Sequence, residues 1–478
     1  MKKLIASLIT SAILFPATAQ YEEQGLQFSQ TFPIMTARSL AMGGAFSSLG
    51  GDMSAAYLNP AGLGMFRKSE LTLSPGIGFA NASSTYQAEK GEDSQTNFLF
   101  GNAGFVTAHK TKNNTGLVGA SFAFAYNRLN DFNRNLYIHG INASNSLADY
   151  FMDQASGIHP DDLLYNGYYG ERLAFDTYVI DTVPGDPTSY STPVFLPVTQ
   201  KRTIQTEGSA GEWSFGFALN FSHIFYFGMG LGIHQLNYSK TLTHSEYDDA
   251  NLSDFNNFSY SEVTDMSSVA ANFKCGFIVR PIPALRISGA LHTPINYHIN
   301  EDYAYYMNAS YNGFNPYAEP VYGSFEYKLV SPLRALGGIS VQIGKIGLVA
   351  ADVEYIDYSN IRYRNVNEEY DITDLNDYIQ DDYKSVLNIR AGGEVRFGPL
   401  SLRAGGGYYP SASSSYKMFE HADYKEFTGG IGFREKRFFI DMGFSALLHN
   451  EEYNLYYNNL ADTKTNRYRL VTTFGFRF

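Results

Sequence analysis

The most constraining feature of this chain is an alternation of apolar and polar residues in runs too long for ordinary soluble strands. From Phe438, the even positions Phe438, Ile440, Met442, Phe444, Ala446 and Leu448 are apolar, and Arg437, Asp441, Gly443 and Ser445 stand between them. Trp213, Phe215, Phe217, Leu219 and Phe221 alternate in the same way with Glu212, Ser214, Gly216, Ala218 and Asn220. Near the end, Tyr468, Leu470, Phe474, Phe476 and Phe478 alternate with Arg467, Arg469, Gly475 and Arg477. Successive side chains of a strand point to opposite faces, so a period of two gives one apolar and one polar or small face. Fourteen candidate strands start near Ser69, Thr96, Gly116, Gly211, Ile224, Met266, Ala284, Ser324, Lys345, Tyr383, Pro399, Asp423, Lys436 and Asn466, and most run 10 to 16 residues. Soluble strands centre on about 5–6 residues. A tilted strand crosses a bilayer in about 9–11.

The connections separate a sandwich from a membrane barrel. Short ones lie around Lys112-Asn113-Asn114, Ser222-His223, Pro281-Ile282-Pro283, Gly344-Lys345, Gly398-Pro399 and Glu435-Lys436. They alternate with long ones at 81–95, 129–210, 241–265, 300–323, 358–382, 409–422 and 450–465. Tight periplasmic turns and long outer loops characterise an up-and-down transmembrane barrel. The expected fold is all-β, a transmembrane antiparallel β-barrel of about 14 strands. Lipid is the solvent of its apolar face, and the backbone must still pair, so the sheet has to close.

Composition agrees. After the N-terminus no stretch approaches 18 apolar residues, which excludes a helical membrane protein. Charged residues are only 17%, while 37 Tyr and 36 Phe supply a lipid-facing band and interfacial girdles. A net charge of −12 argues against nucleic acid as a partner. One cysteine, Cys275, excludes an intramolecular disulfide framework and reads as an inert packing residue.

At the N-terminus, Lys2 and Lys3 precede an apolar run from Leu4 to Phe15, followed by Ala17-Thr18-Ala19. This is the order of a secretory signal with cleavage after Ala19, so residues 1–19 are expected to be removed. Residues 20–68 contain no spanning strand. A lumen of fourteen strands is wider than side chains alone fill, since about eight strands is the size at which they suffice. Residues 20–68 are therefore expected to plug the barrel formed by 69–478. By alternation Asp352, Glu354, Arg390, Glu394, Arg396, Arg403, Asp441, Arg467 and Arg469 face the lumen, able to pair with each other and with a plug.

Within that plug stand Ala37-Arg38-Ser39-Leu40-Ala41-Met42-Gly43-Gly44-Ala45, then Asp52, then Ala55-Ala56-Tyr57-Leu58-Asn59-Pro60-Ala61-Gly62-Leu63. This resembles the N-terminal hatch of the FadL/TodX family of outer-membrane hydrophobic-compound transporters, whose hatch carries an Asn-Pro-Ala motif. Pro283-Ala284-Leu285-Arg286-Ile287, Leu333-Arg334-Ala335-Leu336-Gly337-Gly338 and Ala350-Ala351-Asp352-Val353-Glu354-Tyr355 also look like the family, with weaker similarity through Leu402-Arg403-Ala404-Gly405. The resemblance implies a monomeric fourteen-stranded barrel in the outer membrane of a Gram-negative bacterium. It implies passive uptake of long-chain fatty acids or aromatic hydrocarbons, with no enzymatic activity and no cofactor. Ligand would be caught by outer loops, and a hatch movement with an inward kink in the third strand would open a lateral exit.

On that analogy Asn59, Pro60 and Ala61 form the hatch element facing the third-strand kink; an ordinary Asn-Pro turn is the plainer alternative. In the third strand Phe122, Phe124 and Tyr126 lie on one face, and Gly119, Ser121, Ala123 and Ala125 on the other. Gly119, Ser121 and Ala123 are the candidate lateral portal, although small residues there could equally relieve crowding against the plug. In loop 129–210, Asn145 to Ala155 reads as a helix with Leu147, Tyr150 and Phe151 on one side, and a second follows Pro160. Leu147, Phe151, Leu163, Leu164 and Tyr168 are candidate first contacts for ligand, or else the core of a self-packed loop. Phe478 ends its strand on an aromatic, which resembles the C-terminal signal read by the barrel assembly machinery. Further expected partners are a hydrophobic small molecule and outer-membrane lipids.

Other chemistries are weaker. The ten histidines make no close pair at metal spacing. Gly43-Gly44 and Gly50-Gly51 lack the Gly-Lys-Ser/Thr of a phosphate loop. The acidic loop 358–382, with Glu368, Glu369, Asp371, Asp374, Asp377, Asp381 and Asp382, reads as a solvated loop or as a site for divalent cations. A general porin, or a surface barrel that binds host molecules or haem, remains the alternative function.

Overall fold

The structure, a computed structural model, describes residues 15–366, 372–414 and 422–478, with side chains from residue 22 onward. The first fourteen residues of the expected signal lie outside the described residues, as do Glu368, Glu369 and Asp371 of the acidic loop and His421.

Fourteen antiparallel strands close on themselves. They are β1 (Glu70–Tyr86), β2 (Glu89–Lys110), β3 (Leu117–Asp131, continued by Arg134–Asn142), β4 (Val198–Phe221), β5 (Phe225–Tyr247) and β6 (Phe255–Ile282). Then come β7 (Leu285–His292, continued by Asn296–Tyr311), β8 (Val321–Val330, continued by Arg334–Ile343) and β9 (Gly347–Asp357, continued by Arg362–Asn365). The last five are β10 (Ser385–Phe397), β11 (Leu400–Tyr409), β12 (Tyr424–Arg434), β13 (Phe438–Asn454) and β14 (Leu460–Arg477). The seam pairs β1 with β14 from Glu70↔Arg477 to Thr85↔Asp462, so the sheet has no free edge there. β7 and β8 are interrupted at facing positions, at Pro294 and Pro332. Proline donates no ladder hydrogen bond, so each prolyl residue breaks its strand without ending it.

The alternation maps onto the two faces. Phe122 and Phe124, Phe215 and Phe217, Leu402, Ile431 and Phe444 are exposed outward, while Ala123, Ala125, Ser214, Ala218, Arg403 and Asp441 are buried inward. The outward residues are the lipid-facing band. No helix among the described residues is long and apolar enough to cross a membrane, and the crossing elements are the strands.

The strands overrun the expected boundaries on the long-loop side. β2 starts at Glu89 rather than near Thr96, β4 at Val198 rather than Gly211, β6 at Phe255 rather than Met266, and β14 at Leu460 rather than Asn466. The expected long loop 81–95 is a tight turn at Gln87 and Ala88, both with left-handed φ. These extensions are polar on their outward face, so they carry no lipid-facing period-two signal, yet their backbones continue the ladder. Loop 129–210 shrinks accordingly to 143–197.

The N-terminal segment lies inside the barrel. Helix α1 (Phe15–Ser29) leads to a chain that is buried almost throughout from Ile34 to Leu63. It contains the short helices α2 (Ala37–Ala41) and α3 (Ala55–Leu58) and a 3₁₀ turn, Pro60–Met65. Asn59 caps that turn by accepting the Ala61 N–H at 3.1 Å, with Pro60 in the first helical position.

Candidate functional site

The plug occupies the lumen through two kinds of contact. The first is steric. Gly392 and Gly405 stand opposite each other on β10 and β11, as do Gly430 and Gly443 on β12 and β13. A Cβ on Gly392 or Gly405 would collide with the Met42 backbone, one on Gly443 with Ala37, and one on Gly430 with Ala41. Thr428, on the same face, donates its hydroxyl to Ala41 O at 3.1 Å. The glycines form a flat seat for residues 37–43, where the backbones approach too closely for any larger side chain.

The second kind is polar. Asp352 accepts the Phe46 and Ser47 N–H groups on Oδ2, both at 2.8 Å, and the Ser47 hydroxyl on Oδ1 at 2.8 Å. Arg38 donates to Glu394 from Nε at 2.8 Å and from Nη2 at 3.2 Å. Ala37 N–H donates to Thr473 Oγ1 at 2.7 Å. Within the plug, Asp52 accepts the Thr36 and Ser54 hydroxyls at 2.7 and 2.9 Å. Charge-assisted hydrogen bonds of this kind contribute about 1.5–3 kcal/mol each, so the plug is fastened rather than merely lodged.

A buried group that sequence reasoning missed sits against Tyr57 and Leu58. Lys274 on β6 is ion-paired with Glu212 on β4, and its Nζ lies 4.2 Å from the Tyr57 ring centroid. His234 Nε2 is 3.2 Å from Glu212, and His292 Nε2 is 3.2 Å from Leu58 O. Alternation marks Glu212 as inward, but nothing local links it to Lys274, 62 residues away.

The Asn59-Pro60-Ala61 element lies mainly against β5 and β6 rather than β3. A Cβ on Gly228 would strike Pro60 and Ala61, and one on Gly276 would strike Asn59 Oδ1. Asn59 Nδ2 donates to Ser47 O at 3.0 Å and to Phe277 O at 3.2 Å. The third strand instead packs Ala123 and Ala125 with Met53, Ala55, Ala56 and Leu63. β3 is paired on both edges, to β2 from Asn102↔Asn127 to Lys110↔Gly119 and to β4 from Leu117↔Phe221. Its pairing with β4 shifts register between Leu117 and Gly119 and again between Arg128 and Asn130. Ser121 and Ala123 point inward, and Gly119 lies at the tight-turn end.

The outer loop forms α4 (Leu147–Ala155), α5 (Pro160–Leu163) and α6 (Tyr169–Asp176), with a small hairpin of Asp181–Val183 and Asp186–Ser191. Leu147, Phe151 and Leu163 are not exposed contacts. They are buried in one cluster with Leu173, Phe255, Phe258, Tyr260 and Met307. Leu164 is exposed and Tyr168 half-buried. The apolar helix faces turn down onto the extended strand ends because those ends supply an apolar surface to cover. Glu246 of β5 fastens the loop by accepting from the Ser146 hydroxyl and, at 2.8 Å, from Leu147 N–H at the start of α4. Glu171 in α6 is buried, and this pushes its carboxyl up to about 7.

Between α1 and the wall, on the outer side of the plug, is a cavity of 200 Å³. Phe32, Phe132, Tyr238 and Tyr424 give it aromatic walls, and its charged lining carries both signs, Arg134, Lys240 and Arg467 against Glu23, Glu451 and Glu452. Among the described residues no cluster of three His, Cys, Asp or Glu side chains could hold a metal ion.

No family model matches the sequence, and no curated protein does. Solved structures do match by shape. A FadL homologue from Pseudomonas aeruginosa superposes with a TM-score of 0.57 at 13% identity, covering 94% of this chain and 99% of that one. The P. putida toluene transporter TodX gives 0.54 at 11%, covering 93% and 98%. The monoaromatic hydrocarbon channel CymD gives 0.51 at 12%, covering 93% and 97%. At such identities the likeness is one of fold, and in fold this chain is a closed fourteen-stranded barrel of the FadL and TodX type.

Proposed function

We propose that this protein is a passive outer-membrane channel for hydrophobic small molecules, long-chain fatty acids or related compounds. The observation that carries this reading is the plugged lumen with an aromatic cavity on its outer side. A general porin needs an open aqueous path, and this lumen is filled by backbone that two carboxylates and a glycine seat hold in place. Hydrophobic compounds were the cargo named for the solved structures of the same fold: toluene for TodX and monoaromatic hydrocarbons for CymD. An apolar chain gains about 0.8 kcal/mol for each CH₂ it buries, so aromatic walls can draw a sparingly soluble ligand out of water.

The 200 Å³ cavity is below the roughly 300–1,000 Å³ of typical ligand pockets. A long chain therefore needs side chains or the plug to shift as it enters. In this reading residues 20–68 act as the hatch, Gly119, Ser121 and Ala123 border the exit, and loop residues Leu164 and Tyr168 meet ligand first. Leu147, Phe151 and Leu163 hold the loop together beneath them.

The test is uptake of radiolabelled palmitate and of labelled toluene by cells with and without the protein. Faster uptake of at least one with the protein is the expected result. Equal uptake of both would overturn the reading.

A further inference from the structure

On the other side of the plug, at the end of the barrel that carries the tight turns, lies a second cavity of 320 Å³. Its fully charged lining residues are Arg38, Arg67, Lys110, Arg280, Arg286 and Arg396, and all six are basic. The chain as a whole has 47 acidic against 35 basic residues, so average composition would give the opposite sign. His109 and His223 also line the cavity.

These cations are short of counter-ions. Arg38 and Arg396 both turn to Glu394, at 2.8 and 2.6 Å, and Arg403 reaches the same carboxylate at 2.7 Å. Arg403 also reaches Asp441 at 2.7 Å, so of the cavity's own cations Arg38 and Arg396 share the one carboxylate of Glu394. Arg286 donates to a backbone carbonyl, Leu49 O at 2.6 Å, and Arg280 to Pro283 O at 3.2 and 2.9 Å and to the Tyr226 hydroxyl. Among the described residues no carboxylate stands within ion-pair distance of Arg67, Lys110, Arg280 or Arg286. A concave site lined by one sign of charge concentrates counter-ions of the other. Arginine in particular matches carboxylate and phosphate oxygens with its planar fork.

Part of the remaining lining is polar, from Asn220, Tyr226, Ser340 and Gln342, and the rest is apolar or small. Leu49, Met65, Phe66, Val118 and Leu348 supply apolar surface. Gly50, Gly51 and Gly64 of the plug and Gly119, Ala120 and Ser121 of β3 complete it, so an occupant touches the plug and the third strand together. A free inorganic anion would use the arginines and waste the apolar wall. A hydrocarbon would do the reverse.

We propose that this vestibule is a second binding site, separate from the outer cavity, for the anionic head group of a single-chain amphiphile. The carboxylate or phosphate lies among Arg67, Lys110, Arg280 and Arg286, and the first part of the tail lies on Leu49, Met65 and Phe66. The site deepens the transport reading and rests on it for the orientation of the barrel. It would hold the head group of a ligand that has passed the plug, or that of a lipid from the inner leaflet.

The experiment uses the purified full chain in phosphatidylcholine nanodiscs and three diazirine-tagged C16 probes: the carboxylic acid, the alkyl phosphate and the alcohol. Labelled residues are read by mass spectrometry. The acid, the phosphate or both should label vestibule residues, and the alcohol should not; acid alone identifies cargo and phosphate alone identifies lipid. The triple variant Arg67→Gln, Lys110→Gln, Arg280→Gln should lower vestibule labelling about tenfold, which corresponds to losing one charge-assisted contact of about 1.4 kcal/mol. Labelling around Phe32 and Tyr424 should persist and reports that the variant is folded. The single Lys110→Glu should act in the same direction, and raised salt should weaken labelling by the two charged probes. Equal labelling by the alcohol, or undiminished labelling of both variants, would overturn the proposal. Outer-cavity labelling without vestibule labelling sinks this proposal alone. Labelling of neither cavity, with cell uptake unchanged, sinks the transport reading.

Discussion

At the scale of single residues, the glycines discriminate most sharply. Gly405 and Gly429 sit on neighbouring strands and look alike in sequence. Alternation places Gly405 inward and Gly429 outward. A Cβ at Gly405 would overlap the Met42 backbone, whereas at Gly429 the nearest atom, Arg403 O, is at an ordinary 3.7 Å. Overpacking of this kind costs about 1–3 kcal/mol, and here the plug is the part that can yield. Gly405→Ala should therefore raise ion conductance in planar bilayers while the barrel stays intact, and Gly429→Ala should not. Identical behaviour of the two variants would show that the plug does not rest on this seat. The inward set was legible from the period, but which inward glycines carry plug backbone was not. Gly405 and Met42 are brought together only when the barrel has closed around its N-terminus.

At the scale of elements, strands were legible where lipid imposes an apolar face, and illegible beyond it. The outer extensions of β2, β4, β6 and β14 are polar on their outward side, so no lipid-facing stripe marks them and the ladder carries their pairing. The same extensions explain why the loop helices turn inward. Phe255, Phe258 and Tyr260 on the prolonged β6 give Leu147, Phe151 and Leu163 a surface to cover. Glu171 makes that packing sensitive to pH. Its carboxyl is pushed to about 7 by burial and, to a lesser degree, by the charge of Glu262. An exposed glutamate titrates near 4.3, so between those values the packed loop binds more protons than the unpacked one. The packed state is accordingly at full strength below about pH 4.3 and loses up to about 4 kcal/mol as pH rises through 7. Hydrogen exchange of α4 and α6 should quicken from pH 5 to pH 8, and Glu171→Gln should abolish most of that change. Exchange that slows with pH, or a variant that keeps the full dependence, would contradict this assignment.

At the scale of the whole molecule, the barrel and its plug differ in their bonding. The wall is a continuous backbone ladder, including the β1–β14 seam, whereas the plug is held mainly by side chains and close contacts, with one short backbone bridge in which Phe32 and Ile34 N–H donate to Leu129 O and Arg128 O of β3 at 3.0 and 2.9 Å. Deleting residues 34–65 should leave a barrel that still inserts and shows large, steady conductance, and the full chain should stay closed in the same bilayer. Equal conductance of the two would mean that the plug does not block ions. Removing it also exposes Asp352, Glu394 and the Lys274–Glu212 pair to lumenal water, which hydrates them instead.

The sequence by itself determined the barrel, its even strand number, the side on which the loops are long, and which side chains face lipid. All of these follow from a backbone whose side chains alternate and whose solvent is apolar, and both conditions are written locally. Only the tertiary structure decided the path of the plug, the seat of Asn59-Pro60-Ala61 against β5 and β6, the inward turn of the loop helices and the basic vestibule. Each of those depends on residues tens to hundreds of positions apart that meet because the sheet closes, and no local period records such a meeting.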